Sequence, residues 1–430
     1  MSQSPKATRI IQPSRGLVGS VELPPDKSIA HRAALFSALA DGTSHIVGFP
    51  EAEDPQSTLA CLRQLGIRIE DTETGLAIHG KGLHGLKASD TPLDCGNSGT
   101  TMRLLSGILA GQPFSSTLVG DASLSVRPMG RITDPLRLMN AEIDSTEGHA
   151  PLHIRAAYPL KAMEYPLPVA SAQVKSCVLL AGLFAKGTTT IIEDIPSRDH
   201  TERMLGLSSF TVGSAKHISI DGDFSILPRM WSIPADFSAA AFFLVAGCIL
   251  PDTALHLPRV GLNPSRTGLL DVLRAMGADI QIRNERVVSG ETLADLDVRT
   301  SALNGLEVKG DIVANIIDEI PILCVAAALA EGTTHIKDAT ELRHKETDRI
   351  RAMVDGLSAL GVQVTEQEDG LEITGGTSLS GGDVSSFGDH RIAMSMAIAG
   401  LAASEPVRIE GSQAASISYP GFWDTLERLR

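Results

Sequence analysis

One pattern recurs along the chain and restricts its fold more than any other: a polar start, an apolar alanine-rich helix, a small-residue turn and a β-branched strand. Leu23 to Val47, L-P-P-D-K-S-I-A-H-R-A-A-L-F-S-A-L-A-D-G-T-S-H-I-V, is its first appearance. It returns at Asn97 to Val119, Ser171 to Ile192, Asp236 (D-F-S-A-A-A-F-F-L-V-A-G-C-I-L), Asp318 (D-E-I-P-I-L-C-V-A-A-A-L-A-E-G-T-T-H-I) and Asp389 (D-H-R-I-A-M-S-M-A-I-A-G-L-A-A). The starts at Ser28, Ser98, Ser171, Asp236, Asp318 and Asp389 lie roughly 70 residues apart, too long for a solenoid unit and suited to a small βαβ-type subdomain.

Each copy carries a second helix that runs into a strand. The junctions R-Q-L-G-I-R-I, R-A-M-G-A-D-I-Q-I and S-A-L-G-V-Q-V place a glycine at the helix C-cap and β-branched residues after it. Asp134 to Ile143 and Arg198 to Val212 are looser versions. The sixth copy stops at Arg430, inside its second helix, so its missing strands are expected from the N-terminus, where Thr8 to Gln12 and Gly19 to Leu23 read as short strands. Six copies divide as three and three. This predicts two domains, residues 23–235 and residues 1–22 with 236–430, with the chain ends meeting in the second.

The first helix of each copy is apolar nearly all round, which predicts burial beneath its own sheets with only the polar N-terminal end exposed. Copies related by rotation bring those ends together, so helix dipoles and free N–H groups are expected to face a cleft between the domains. Asp94 to Arg103, D-C-G-N-S-G-T-T-M-R, is one such start. Alone it is a weak signal, because it lacks the G-K-[ST] ending of a nucleotide loop and reads equally well as a glycine turn before a capped helix.

With 430 residues, 43% hydrophobic and 20% charged, the chain can bury two sizeable cores. Its opening, M-S-Q-S-P-K-A-T-R-I, has no apolar segment of a secretory leader, and the run Ala239 to Leu250 is too short to span a bilayer; a cytoplasmic location is expected. Cys61, Cys95, Cys177, Cys248 and Cys324 are odd in number and lack C-x-x-C spacing, which supports neither a disulfide framework nor a zinc site. A net charge of −14 argues against a nucleic-acid or membrane partner. It leaves an anionic small molecule open, since at a Debye length of about 8 Å a local basic cluster outweighs a distant acidic surface.

Basic residues do gather at the repeat starts. Lys27, Ser28 and Arg32 mark the first copy; Asn97, Ser98, Gly99, Thr100 and Arg103 the second; Ser171, Gln173 and Lys175 the third; Asp389, His390 and Arg391 the sixth. Loops add Arg127, Arg198 and the run E-L-R-H-K-E-T-D-R from Glu341 to Arg349. Arginine suits phosphate and carboxylate because its planar fork donates paired hydrogen bonds, whereas lysine offers a mobile point charge. Two carboxylates among these cations, Asp318 and Glu346, are open to two readings: proton-transfer groups, or a helix cap and an exposed salt bridge.

Taken in order, D-K-S-x-x-x-R, G-N-S-G-T-x-M-R, R-P-M, S-x-Q-x-K-S, the aspartate of D-E-I-P, K-E-T-D-R and D-H-R-x-A-M resemble the 5-enolpyruvylshikimate-3-phosphate synthase (3-phosphoshikimate 1-carboxyvinyltransferase) family over nearly the whole chain. The S-A-Q-V-K-S and R-D-H-T-E versions resemble its class II. The resemblance implies an inside-out α/β barrel in two domains, each of three βαβαββ units. It implies transfer of the enolpyruvyl group of phosphoenolpyruvate to the 5-hydroxyl of shikimate 3-phosphate, with loss of phosphate through a tetrahedral intermediate. This is a step of the shikimate pathway to aromatic amino acids and the target of glyphosate; the partners are those two small molecules, no cofactor or metal is used, and a monomer is expected.

By position, the resemblance places Lys27, Gly99, Arg127, Gln173, Arg349 and Arg391 around phosphoenolpyruvate. It places Lys27, Ser28, Arg32, Ser171, Gln173, Arg198, Asp318 and Lys345 around shikimate 3-phosphate. Asp318 takes the hydroxyl proton, and Glu346 with Lys27 protonates the methylene carbon. Two positions depart from the family pattern: a lysine before a [FY]-P pair is Ile417 here, ahead of Tyr419 and Pro420, and Glu341 replaces a serine or asparagine near Lys345. The related UDP-N-acetylglucosamine enolpyruvyl transferase carries a reactive cysteine where this chain has Ala122, and its pattern lacks K-E-T-D-R. A non-catalytic anion-binding repeat protein needs no carboxylates at the site, and Asp318 and Glu346 weigh against it.

Overall fold

Helices as uniformly apolar as Phe237–Ile249 and Ile320–Leu329 have no face to offer water, so other helices and sheets must cover them on every side. The computed structural model, which describes residues 7–430, does this twice. The chain separates into one unit of residues 1–24, 234–287 and 292–430, and another of residues 25–233 with 288–291. In the unit formed by 25–233, helices Lys27–Leu39, Gly99–Ala110 and Ala172–Gly182 form the interior; every residue from Ile29 to Leu39 is buried. A Cβ on Gly107 would lie 2.2 Å from the Cys177 carbonyl oxygen, so the second and third of these helices touch backbone to backbone. The other unit packs Phe237–Ile249, Ile320–Leu329 and His390–Ala402 against one another in the same way.

The sheets lie outside and repeat one plan. The strand after each buried helix pairs in parallel with one neighbour and antiparallel with the next: Ser116–Val119 runs parallel to Leu93–Asp94 and antiparallel to His149–Arg155. Thr188–Glu193 repeats this with Glu164–Pro166 and Ala215–Asp221. The first sheet borrows its parallel strand, Met230–Ser232, from the far end of the unit, which closes the threefold set.

The N-terminus serves the other unit, with a difference from the sequence expectation. Thr8–Ile11 pairs antiparallel with Val407–Glu410 and completes the sixth sheet, but Val18–Ser20 runs parallel to Ala254–Gly261 and belongs to the fourth. Pro13 lacks an N–H, which breaks the ladder after Ile11 and lets the chain turn to a second sheet. The two ends meet, with the Arg430 Nη2 donating to the Gln12 carbonyl at 3.2 Å. Among the described residues no helix is long and apolar enough to cross a membrane.

All five cysteines are free and buried, and burial pushes the Cys177 and Cys248 thiols up to about 12. A thiol reagent is therefore expected to label none of the five in the folded protein and all five in denaturant. Rapid labelling of any thiol under native conditions would contradict this packing.

Candidate functional site

The apolar helices present their polar first turns through side-chain caps. Asp26, Ser98 and Ser171 accept from the N–H of Ile29, Thr101 and Val174 at 2.8, 3.1 and 3.4 Å. These caps fix the backbone from which Lys27, Ser28, Arg32, Gly99, Arg103 and Gln173 project. Lys27 Nζ reaches Asp54 Oδ2 at 2.8 Å, a partner from the second helix. Arg32 is buried, donating from Nε to Thr201 Oγ1 and from Nη2 to Ser176 Oγ, both at 2.8 Å, and from Nη1 to the Ser28 carbonyl at 3.0 Å. Burial lowers the Arg32 guanidinium to about 10; Glu202, Asp26 and Glu291 act against this, and the positive charge of Arg198 adds to it.

Around the second helix start, Arg103 Nη1 donates to Gln173 Oε1, whose Nε2 donates to Thr100 Oγ1 at 3.0 Å. Arg127 Nη2 donates to Asn97 Oδ1 at 2.7 Å and Ser123 Oγ at 3.2 Å. Gly99 lies between these arginines: a Cβ there would be 3.1 Å from Arg103 Nη1 and 3.6 Å from Arg127 Nη1. A bare Cα, the free N–H groups of a first turn and two guanidiniums make a seat for a small anion.

The other unit assembles a second cluster. Asp318 lies in the turn before Ile320–Leu329, whose N-cap is Glu319 and whose first turn holds Pro321. It is therefore not the helix cap, one of the two readings of its sequence position. Its carboxylate faces three cations: Arg349 Nη1 at 3.3 Å, Arg391 Nη2 at 3.7 Å and Lys345 Nζ at 4.0 Å. Arg391 Nη1 also donates to the Asp318 carbonyl at 2.8 Å. Glu346 accepts from Arg349 Nη2 at 2.6 Å, and the guanidinium it meets is buried, so its pair is not an exposed salt bridge. Arg349 Nε donates to the fully buried Asp389 at 2.8 Å, and Asp389 caps Arg391 N at 2.7 Å. Burial pulls the Arg349 guanidinium down, but Asp389, Glu346 and Asp318 outweigh it and raise it above its ordinary value. Burial lowers the Lys345 ammonium, against the pull of Asp318, Glu341 and Glu346.

The sequence-derived set thus falls into two groups. Lys27, Ser28, Arg32, Gly99, Arg127, Ser171, Gln173 and Arg198 belong to one unit, and Asp318, Lys345, Glu346, Arg349 and Arg391 to the other. Lys175, read as a cationic helix start, is a correction: it is wholly buried and paired with Glu193 and Glu202 at 2.8 and 2.7 Å. Ile417 ends a 3₁₀ turn half-buried, and Glu341 is exposed on Thr340–His344, close enough to act on Lys345. Sequence reasoning missed Asp54 as the Lys27 partner. It also missed a buried chain in which Arg266 donates to Ser238 Oγ at 2.6 Å and Ser238 donates to Glu319. No spacing along the chain signals either contact.

Comparison with known proteins gives this arrangement its context. The family model described as EPSP synthase (3-phosphoshikimate 1-carboxyvinyltransferase) matches residues 11–426. A 3-phosphoshikimate 1-carboxyvinyltransferase of Salinibacter ruber is 57% identical, covering 97% of this chain and 98% of its own. One of Alkalilimnicola ehrlichii is 50% identical over 96% of this chain and 93% of its own. The solved EPSP synthase of Acinetobacter baumannii superposes with a TM-score of 0.87 at 45% identity, covering 98% of both chains. The enolpyruvyl transferase NikO of Streptomyces tendae, 18% identical with a TM-score of 0.76 over 99% of this chain and 98% of its own, shares the fold. The α/β architecture, the motifs and these likenesses agree: the chain belongs to the EPSP synthase (3-phosphoshikimate 1-carboxyvinyltransferase) family of transferases.

Proposed function

We propose that this 3-phosphoshikimate 1-carboxyvinyltransferase divides its work between the two clusters. Lys27, Gly99, Arg127, Gln173, Arg349 and Arg391 hold phosphoenolpyruvate, and Lys27, Ser28, Arg32, Ser171, Gln173, Arg198, Asp318 and Lys345 hold shikimate 3-phosphate. Asp318 accepts the proton of the 5-hydroxyl as that oxygen attacks C2 of phosphoenolpyruvate. Glu346 with Lys27 delivers a proton to C3, giving the tetrahedral intermediate. Loss of a proton from the new methyl group and departure of phosphate restore the double bond in the product. The arginines and the helix first turns stabilise charge on the departing phosphate.

The observation that carries this reading is the Asp318 carboxylate held 3.3 to 4.0 Å from three cations on separate side chains. Anion binding alone would be opposed by a carboxylate there, whereas a carboxylate can take up the proton of the attacking hydroxyl. Release of phosphate from phosphoenolpyruvate, with shikimate 3-phosphate or UDP-N-acetylglucosamine as acceptor, tests it. Release is expected only with shikimate 3-phosphate. Equal or preferential release with UDP-N-acetylglucosamine would overturn the assignment, and release with neither would favour a non-catalytic anion binder.

A further inference from the structure

We infer that Lys175 and Glu193 are positioning residues for phosphate recognition, a buried ion pair that fixes the loop carrying Arg198. Lys175 projects from helix Ala172–Gly182 into the interior, with Nζ 3.0 and 2.8 Å from the two oxygens of Glu193. Glu193 is the last residue of strand Thr188–Glu193 and is itself 1% exposed. After it the chain leaves regular structure until helix His200–Leu205, and Asp194, Ile195 and Pro196 are exposed. Ser197, Arg198 and Asp199 are half-buried, and Ser197 is held to the ion pair. Its N–H and its Oγ donate to Glu193 Oε1 at 3.0 and 2.7 Å, and its carbonyl accepts from Lys175 Nζ at 3.3 Å. The residue that precedes Arg198 is thus gripped at all three of its polar atoms by one ion pair.

A buried ion pair is weak evidence for a purely stabilising role, because an apolar replacement of equal volume is often as stable. Placement is the better account here. The same elements also hold Arg32: Ser176 follows Lys175, Thr201 precedes Glu202, and their hydroxyls are 2.7 Å apart and both accept from the Arg32 guanidinium. Glu202 Oε1 lies 2.7 Å from Lys175 Nζ. Glu202 also favours the charge of the Arg32 guanidinium, which the nearby Arg198 opposes. The network thus holds Arg32 directly and the residue before Arg198 by its backbone and hydroxyl.

This inference rests on the reading that Arg198 holds the phosphate of shikimate 3-phosphate, and the test separates the two. Glu193→Gln keeps the side-chain shape and removes the charge. It is expected to raise the KM for shikimate 3-phosphate on the order of 10-fold, the effect of losing a hydrogen bond to a charged group. The KM for phosphoenolpyruvate and kcat are expected to stay within about twofold, since a placement effect acts on one substrate only. Ser197→Ala, which deletes one hydroxyl, is the milder companion should Glu193→Gln fold poorly, and the same selective rise, smaller, is expected. A merely structural network would lower the melting temperature and leave both KM values unchanged in either variant, which would overturn the inference. Arg198→Ala is the reference: if it fails to raise the KM for shikimate 3-phosphate, the phosphate-holding role itself is wrong.

Discussion

Asp318→Asn is expected to lower kcat by about 10²- to 10⁴-fold, the loss typical of removing a general base, while the KM of each substrate changes far less. Asparagine keeps the size of the side chain and one oxygen that can accept from Arg349 or Lys345, so the pocket is preserved. Its amide nitrogen cannot take a proton from a hydroxyl. The carboxylate is well placed to be a base because its backbone is fixed: Arg391 binds the Asp318 carbonyl at 2.8 Å, and the apolar helix that follows, Ile320–Leu329, is anchored in the core. Steady-state kinetics with both substrates varied would check this. A variant with kcat within tenfold of the parent, or one whose defect lies wholly in KM, would remove Asp318 from proton transfer and leave it a binding group.

The residues that escaped the sequence explain what a one-dimensional reading contains. Each buried helix was legible because its apolar character all round excludes a surface position, and the polar first turns then mark where ligands can reach. Gly66, Gly277 and Gly361, each at positive φ after a second helix, were legible for a similar local reason, since the chain there must turn directly from helix to strand, whereas Asn140 takes that place in the second copy. What was not legible were partnerships across the repeat. Lys175 meets a carboxylate eighteen residues on, and Lys27 one twenty-seven residues on, from strands and helices whose pairing depends on the closed threefold packing. Lys175 therefore read as one more exposed cation. Asp318 read as a possible cap because aspartate before an apolar run usually is one; the helix begins beyond it, with Pro321 in the first turn where a missing N–H is harmless. The N-terminal strands were found, but their allocation to two different sheets follows from the turn at Pro13 and from which sheet edges lie open, which no local pattern records.

Arg349→Leu is expected to destabilise the fold by about 3–5 kcal/mol, the loss found when one partner of a buried charge pair is removed. Arg349 is 2% exposed and serves three carboxylates at once: Asp389 at 2.8 Å, Asp318 at 3.3 Å and Glu346 at 2.6 Å. Its deletion leaves the fully buried Asp389 without its closest cation, and Asp389 caps the helix that carries Arg391. Arg349→Lys keeps the charge but not the planar fork, and a single ammonium cannot bridge three acceptors, so an intermediate loss is expected. The internal control is Arg351, one half-turn along the same helix, which also has two carboxylate partners, Glu366 at 2.9 Å and Asp355 at 3.1 Å, but is 61% exposed. Water solvates those charges with or without the pair, so Arg351→Leu is expected to leave the denaturation midpoint unchanged. Urea denaturation of the three variants beside the parent would decide it. Equal midpoints for Arg349→Leu and Arg351→Leu would show that burial does not govern the contribution of these pairs to stability.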